Sequence, residues 1–208
     1  MPVSVPVPPP GAAARCRRPV PPPSLDAVTI HREHPFADPE PQRDPVRRLR
    51  ARLGGAVSLW TTGSGADRAG LTVSSLLVAP GDPGRVLGLL DPDSELVAGL
   101  EVTGTAVVQL LHWRHRDLAD AFAGVAPAPG GPFRLAEWEE TAWGPLLPDV
   151  SAWAGVRLAS PGRPVGWSLL VEADIERVAL AGEAGEEPSG PLVHRRGRYL
   201  RPDAVPPG

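Results

Sequence analysis

Proline sets the first limit on where this chain can fold. The sequence has 208 residues and 28 prolines, and residues 1 to 43 are dense with them, including Pro8-Pro9-Pro10 and Pro21-Pro22-Pro23. Proline fixes φ and carries no amide donor, so such a stretch supplies neither central strands nor long helices. Residues 1–43 therefore read as a flexible, polyproline-like extension. The ordered domain is expected over residues 44–200, with a short tail at 201–208. That domain has ordinary size and needs no disulfide or metal staple.

Charge and cysteine content narrow the function classes. The net charge of −3 is unlike that of a general nucleic-acid binder. Cys16 is the only cysteine, which excludes an internal disulfide and any cysteine-built metal cluster. No stretch approaches the roughly 18 apolar residues of a membrane helix, and the start lacks the pattern of a secretory signal. We expect a cytoplasmic protein with no membrane or nucleic-acid partner.

Local patterns then give an element order. Asp44 and Pro45 open a helix on which Val46, Leu49 and Leu53 recur at helical spacing, with arginines 47, 48, 50 and 52 forming a solvated face. Gly54-Gly55 ends it. Ala56 to Trp60 reads as a strand, Thr61 to Ala69 as a turn and Leu71 to Val78 as the partner strand. Arg85 to Leu90 is a further strand, and Asp93 or Ser94 starts a helix that ends near Gly104. An apolar strand over Thr105 to Leu111 precedes a helix over Arg114 to Phe122, which Gly124 stops. Strands at Ala154 to Leu158 and Trp167 to Val178 follow, then a flexible acidic loop over Gly182 to Gly190. Helices do not alternate with strands as in a doubly wound sheet, so a mostly β barrel or sandwich is expected.

Few residues suggest chemistry. Thr72, Ser74 and Ser75 put small hydroxyls on an extended run that Gly70 opens, with Thr72 and Ser74 on one face and Ser75 on the other or in a bulge. Ordinary β structure also contains such residues. Asp91-Pro92-Asp93-Ser94 joins a strand to a helix start, whose amides suit a phosphate, although the aspartates oppose one and equally well cap the turn. His194-Arg195-Arg196-Gly197-Arg198-Tyr199 concentrates a titratable ring, three cations and an aromatic; it is suited to a dinucleotide's phosphates or to a solvated edge strand. His112 and His115 lack a third metal ligand at suitable spacing, so no metal is expected. The tryptophans at 138, 143, 153 and 167 read as core or interface anchors. There is no nucleophile triad, no Gly-x-Gly-x-x-Gly run and no phosphate-binding loop.

Taken in order, Gly70-Leu71-Thr72-Val73-Ser74-Ser75, the Asp82-Pro83 turn, Ser94 and Val108-Gln109-Leu110-Leu111 resemble the flavin reductase-like family of FMN-binding split barrels. Leu118-Ala119-Asp120-Ala121-Phe122-Ala123-Gly124, the aromatic pair Phe133 and Trp138, and Pro191-Leu192-Val193-His194 through Gly197-Arg198-Tyr199 continue the likeness, which covers Val46 to Tyr199. The chain departs from the family pattern at Ala79, Arg85 and Gln109, and in the Gly162 to Trp167 loop. The resemblance implies a Greek-key split β-barrel with a few short peripheral helices, a homodimer, and FMN or FAD reduced by NADH or NADPH. It implies flavin contacts at Leu71, Thr72, Val73, Ser74 and Ser75, with Ser94 at the phosphate end and Phe122 at the pocket floor. His194, Arg198 and Tyr199 would lie near the nicotinamide or the flavin. No residue is expected to act as a catalytic nucleophile, because hydride passes directly between the cofactors. Reduced flavin diffusing to a monooxygenase partner is one implied use. A flavin-dependent oxidoreductase with a separate small substrate, and a non-catalytic flavin-binding or dimeric interaction protein, are the alternatives.

Overall fold

The computed structural model describes residues 44–180 and 190–202; the expectations for 1–43, for most of the acidic loop and for the end of the tail lie outside them. Helix α1 (Pro45–Leu53) begins as its sequence dictates, with the Asp44 carboxylate accepting the Val46 N–H at 2.9 Å. Its apolar stripe does not enter the core, because Val46, Leu49 and Leu53 are 70%, 62% and 77% exposed.

The described residues then form thirteen strands in chain order: β1 (Gly55–Ala56), β2 (Ser58–Thr62), β3 (Ala69–Val73), β4 (Leu76–Ala79) and β5 (Arg85–Leu90), then β6 (Thr105–Leu110), β7 (Glu139–Glu140) and β8 (Pro145–Leu146), then β9 (Ala152–Leu158), β10 (Arg163–Val165), β11 (Ser168–Leu180), β12 (Val193–Arg195) and β13 (Arg198–Leu200). Helix α2 (Glu95–Thr103) lies between β5 and β6, and α3 (Arg116–Phe122) follows β6. The expected Leu71–Val78 strand is thus two strands, broken at Ser74-Ser75.

Eight strands form one antiparallel sheet in the order β3-β2-β6-β9-β11-β5-β4, with β10 on β11. Its two end strands, β3 and β4, are consecutive in the chain. The sheet therefore curls until its ends are joined by the Ser74-Ser75 step, a seam made of two residues. The mostly β fold with short peripheral helices is as expected, and β1, β12 and β13 form a separate small sheet.

Strands β2 and β6 separate two cores. On the inner side Trp60, Ala106 and Val108 pack with Val73, Val86, Leu90, Val156 and Val171, and α2 closes the cluster with Leu96, Val97 and Leu100. The wholly buried Trp60 ring lies so close to Gly88 that a Cβ there would sit 3.0 Å from Cζ2. Its indole N–H donates to Ser58 Oγ at 3.1 Å, and that hydroxyl donates to the Val73 carbonyl at 2.8 Å. On the outer side Leu59, Val107 and Leu111 meet α3 and Leu192, beneath a layer that includes Phe133, Trp138, Trp143, Trp153 and Tyr199. Burial on both faces explains why Thr105–Leu110 is apolar without alternation. Trp167 lies outside both cores; it is 75% exposed, with the Arg47 guanidinium 4.9 Å from its ring centroid.

Candidate functional site

The seam leaves hydrogen-bonding groups open. Pairing of β3 ends at Val73 opposite Ser58, and that of β4 begins at Leu76 opposite Gly88. Ser75 holds the step to β5, since its Oγ donates to the Leu89 carbonyl at 2.7 Å and its own carbonyl accepts the Leu89 N–H at 3.3 Å. Among the described residues, the Ser74 hydroxyl and the amides of Ser74 and Ser75 have no intrachain partner. Both serines are half-buried. Half-buried donors that no chain acceptor occupies are available to a polar ligand.

The outer core forms one flank of the seam. Thr72 is on the outer face, where its Oγ1 donates to the Ala119 carbonyl of α3 at 2.7 Å. Phe122, also on α3, lies against Gly70: a Cβ there would stand 2.7 Å from Phe122 Cε1. Phe133 and Trp138 surround that ring at centroid distances of 4.9 and 5.8 Å. Leu71 and Val73 point the opposite way, into the inner core, and offer this face only their main chain.

The small sheet forms the other flank. Gly55 of β1 pairs with His194 of β12, and its Cα faces Ser74, whose carbonyl would be 3.0 Å from a Cβ at that position. Across β12 and β13, His194 is opposite Tyr199, with ring centroids 5.7 Å apart. The Tyr199 phenol donates to the Asp120 carboxylate of α3; burial first, then that hydrogen bond and charge, push its pKa well above the ordinary 10. His194 is shifted the other way. Burial, then the Arg50 guanidinium, lower its pKa below 6.5, and Asp120 only partly opposes them.

The structure thus links Thr72, Ser74, Phe122, His194 and Tyr199 through Ala119, Asp120 and Gly55. Ser94 lies just beyond β5, the strand to which Ser75 is bonded, but its hydroxyl is committed to capping α2: it donates to the Asp91 carbonyl at 2.7 Å and accepts the Val97 N–H at 3.4 Å. Arg198 is exposed on the hairpin, opposite Arg195. Gly55, Asp120 and Arg50 are members of this neighbourhood that the sequence reading left without a role.

His112 and His115 have another use. His115 Nδ1 accepts the His112 N–H at 3.2 Å, and its Nε2 is 3.2 Å from Asp149 Oδ2. Among the described residues there is no cluster suited to a metal ion. Beside this pair is a separate cleft of about 550 Å³, lined by residues that include Arg114, His115, Leu135 and Asp149. No helix among the described residues is long and apolar enough to cross a membrane.

Residues 50–202 match the model of the flavin reductase like domain, which accounts for most of the chain. This chain belongs to the flavin reductase-like family. It is similar to "FMN reductase (NADH) RutF" of Bradyrhizobium diazoefficiens, with 34% identity over 58% of this chain and 65% of that protein. The match therefore spans slightly less than two thirds of that relative. A longer match is to the NADH-dependent FMN reductase AsuE2 of Streptomyces nodosus subsp. asukaensis, at 30% identity over 77% of this chain and 85% of the relative. Among solved structures, nitrilotriacetate monooxygenase component B from Mycobacterium thermoresistibile superposes with a TM-score of 0.67 at 21% identity, covering 78% of this chain and 89% of that one. The flavin reductase-like domain read from the motifs is thus the domain the chain contains, and the fold likeness agrees with its split barrel.

Proposed function

We propose that this protein is a cytoplasmic, NAD(P)H-dependent flavin reductase that binds FMN or FAD at the seam and takes electrons from NADH or NADPH. One observation supports this reading above the others: three donors without partners among the described residues, the Ser74 hydroxyl and the Ser74 and Ser75 amides, belong to the two residues that join β3 to β4. Their chemistry fits a flavin, whose ring edge presents carbonyl oxygens and nitrogens and whose chain carries hydroxyls and phosphate. When bound, the flavin supplies the two-electron acceptor for the nicotinamide's hydride.

The chain's own residues position and shield. The seam donors bind acceptor atoms, helped by the main chain of Leu71, Thr72 and Val73. Phe122 forms the floor and excludes water, and Gly70 lets it approach. Ser94 orders the first turn of α2, whose amides are then available to a phosphate. His194, kept neutral by burial, and Tyr199, kept protonated by burial and by Asp120, present uncharged hydrogen-bonding rings to the cofactors. Tyr199 in particular adds no negative charge that would oppose hydride arrival.

We extend the proposal to a homodimer. Strand register places Leu77, Leu89 and Val165, at 69%, 37% and 39% exposure, on one outer face of the barrel, which a second copy would cover. A monooxygenase that consumes diffusible reduced flavin is the proposed partner class. The test is anaerobic: purified protein with FMN or FAD is titrated with NADH or NADPH while absorbance near about 450 nm is followed. Bleaching is expected with at least one donor. Bound flavin indifferent to both donors would turn the reading to a flavin enzyme with another substrate, and no affinity for either flavin would overturn it.

A further inference from the structure

The chain as a whole is slightly acidic, yet six of the described arginines that lack a carboxylate partner lie on two elements that touch, whereas Arg68, Arg134, Arg163 and Arg177 are scattered. Among the described residues, ion pairs to carboxylates involve Arg85, Arg114, Arg116 and Arg157, all remote in sequence from α1 and from the β12–β13 hairpin. Arg48, Arg50 and Arg52 of α1, and Arg195, Arg196 and Arg198 of the hairpin, have no such partner and are exposed. The two elements touch at Ala51, Arg52 and Gly54. The Arg196 N–H donates to the Ala51 carbonyl at 2.7 Å, Arg195 Nε donates to the Arg52 carbonyl at 3.3 Å, and the Arg195 chain lies 3.4 Å from a Cβ position on Gly54.

This arrangement is unfavourable by itself. Arg195 and Arg198 are directly opposite in the hairpin, and like charges so placed repel. The hairpin turn adds Arg196 at a φ of 53°, a left-handed conformation that a residue with a side chain adopts reluctantly. The carbonyl end of α1 takes up Arg195 and moderates the repulsion, but Arg48, Arg50, Arg196 and Arg198 gain no anion from the described residues. The surface also has a definite address: Arg50 lies near enough to His194 to act on it electrostatically, and His194 flanks the seam.

We propose that this arginine shelf binds the adenosine-diphosphate arm of a dinucleotide whose redox end lies at the seam. The inference rests on the flavin reductase reading, which provides two sources of that arm, NAD(P)H and FAD. Guanidinium groups pair with phosphate oxygens through paired N–H donors, and several on touching elements raise the local concentration of a polyanion.

The full chain is compared with Arg195→Gln/Arg198→Gln, and with Arg177→Gln as a control on β11. ADP-ribose and ADP-ribose 2′-phosphate are titrated calorimetrically at low and high salt, and FMN affinity is read independently by fluorescence quenching. We expect the double variant to bind ADP-ribose about five- to tenfold more weakly and to lose most of the salt dependence, with the control unchanged. Inorganic pyrophosphate should raise the melting temperature of the unaltered chain and not that of the double variant. Steady-state arms identify the source: a raised KM for NADH or NADPH assigns the shelf to the donor, and a KM raised for FAD more than for FMN assigns it to the flavin. ADP-ribose affinity equal in the double variant and the control would overturn the shelf while leaving FMN binding intact. Absent FMN quenching in the unaltered chain would instead count against the flavin reading, with the shelf still judged by ADP-ribose.

Discussion

The two cores on either side of β2 and β6 are built on different terms. The inner core is a closed set of aliphatic side chains around Trp60, whose indole donor is satisfied by Ser58 and, through it, by the Val73 carbonyl of the neighbouring strand. The outer core is assembled from α3, aromatic loops and the small sheet, and it keeps titratable groups at its edge. The inner one secures the fold, and the outer one, resting on the same wall, shapes the seam. A barrel can thus keep one face of a strand for stability and give the other to chemistry.

Substitution of the largest ring on each side tests this division. Trp60→Ala and Phe122→Ala should each cost about 3–5 kcal/mol in denaturant unfolding. Only Phe122→Ala should also weaken flavin binding per folded molecule; equal effects on binding would erase the distinction. Next in size is Gly70→Ala, whose new methyl must displace Phe122, for about 1–3 kcal/mol. Adding Phe122→Leu should recover part of that loss in a double-mutant cycle. Neighbouring serines give a finer contrast. Ser75→Ala removes the bond to Leu89 and should lower stability by about 1 kcal/mol. Ser74→Ala should leave stability within about 0.5 kcal/mol yet reduce flavin affinity about fivefold, measured by fluorescence quenching.

The smallest expected effect is on pH dependence. Burial is the leading cause that lowers both His194 and His115 below 6.5, with Asp149 opposing it at His115. The unfolded chain then binds protons that the folded chain resists, so stability is full above pH 6.5 and is lost as pH falls toward the folded values. His194→Gln should make thermal stability less steep between about pH 7 and 5, without abolishing the slope, because His115 remains.

Much of the inner architecture was legible because its signals are local. Asp44 and Ser94 cap the helices they precede, Gly124 follows α3, and Thr105–Leu110 is apolar on both faces because both are covered. The break at Ser74-Ser75 was half legible: two hydroxyls in succession interrupt the alternation and allow a bulge, but only closure of the whole sheet decides where β3 gives way to β4. The α1 stripe misled for a related reason, since helical spacing shows a face but not what covers it. The β12–β13 turn did carry a sign, as Arg196-Gly197 suits a two-residue hairpin with positive φ at both positions, here 53° and 74°. In the site, Thr72 and Ser74 stood out as hydroxyls on one strand face. Gly55 and Asp120 did not, because each matters only through a contact far along the chain.

Closure of the sheet through two residues has a dynamic consequence. A ligand gripping Ser74 and Ser75 fastens the ends of the barrel together, so they separate only after it leaves. The Leu89 amide, bonded across that junction to the Ser75 carbonyl, should then exchange its hydrogen more slowly as the site fills. One backbone resonance on β5 would report occupancy without any change in colour.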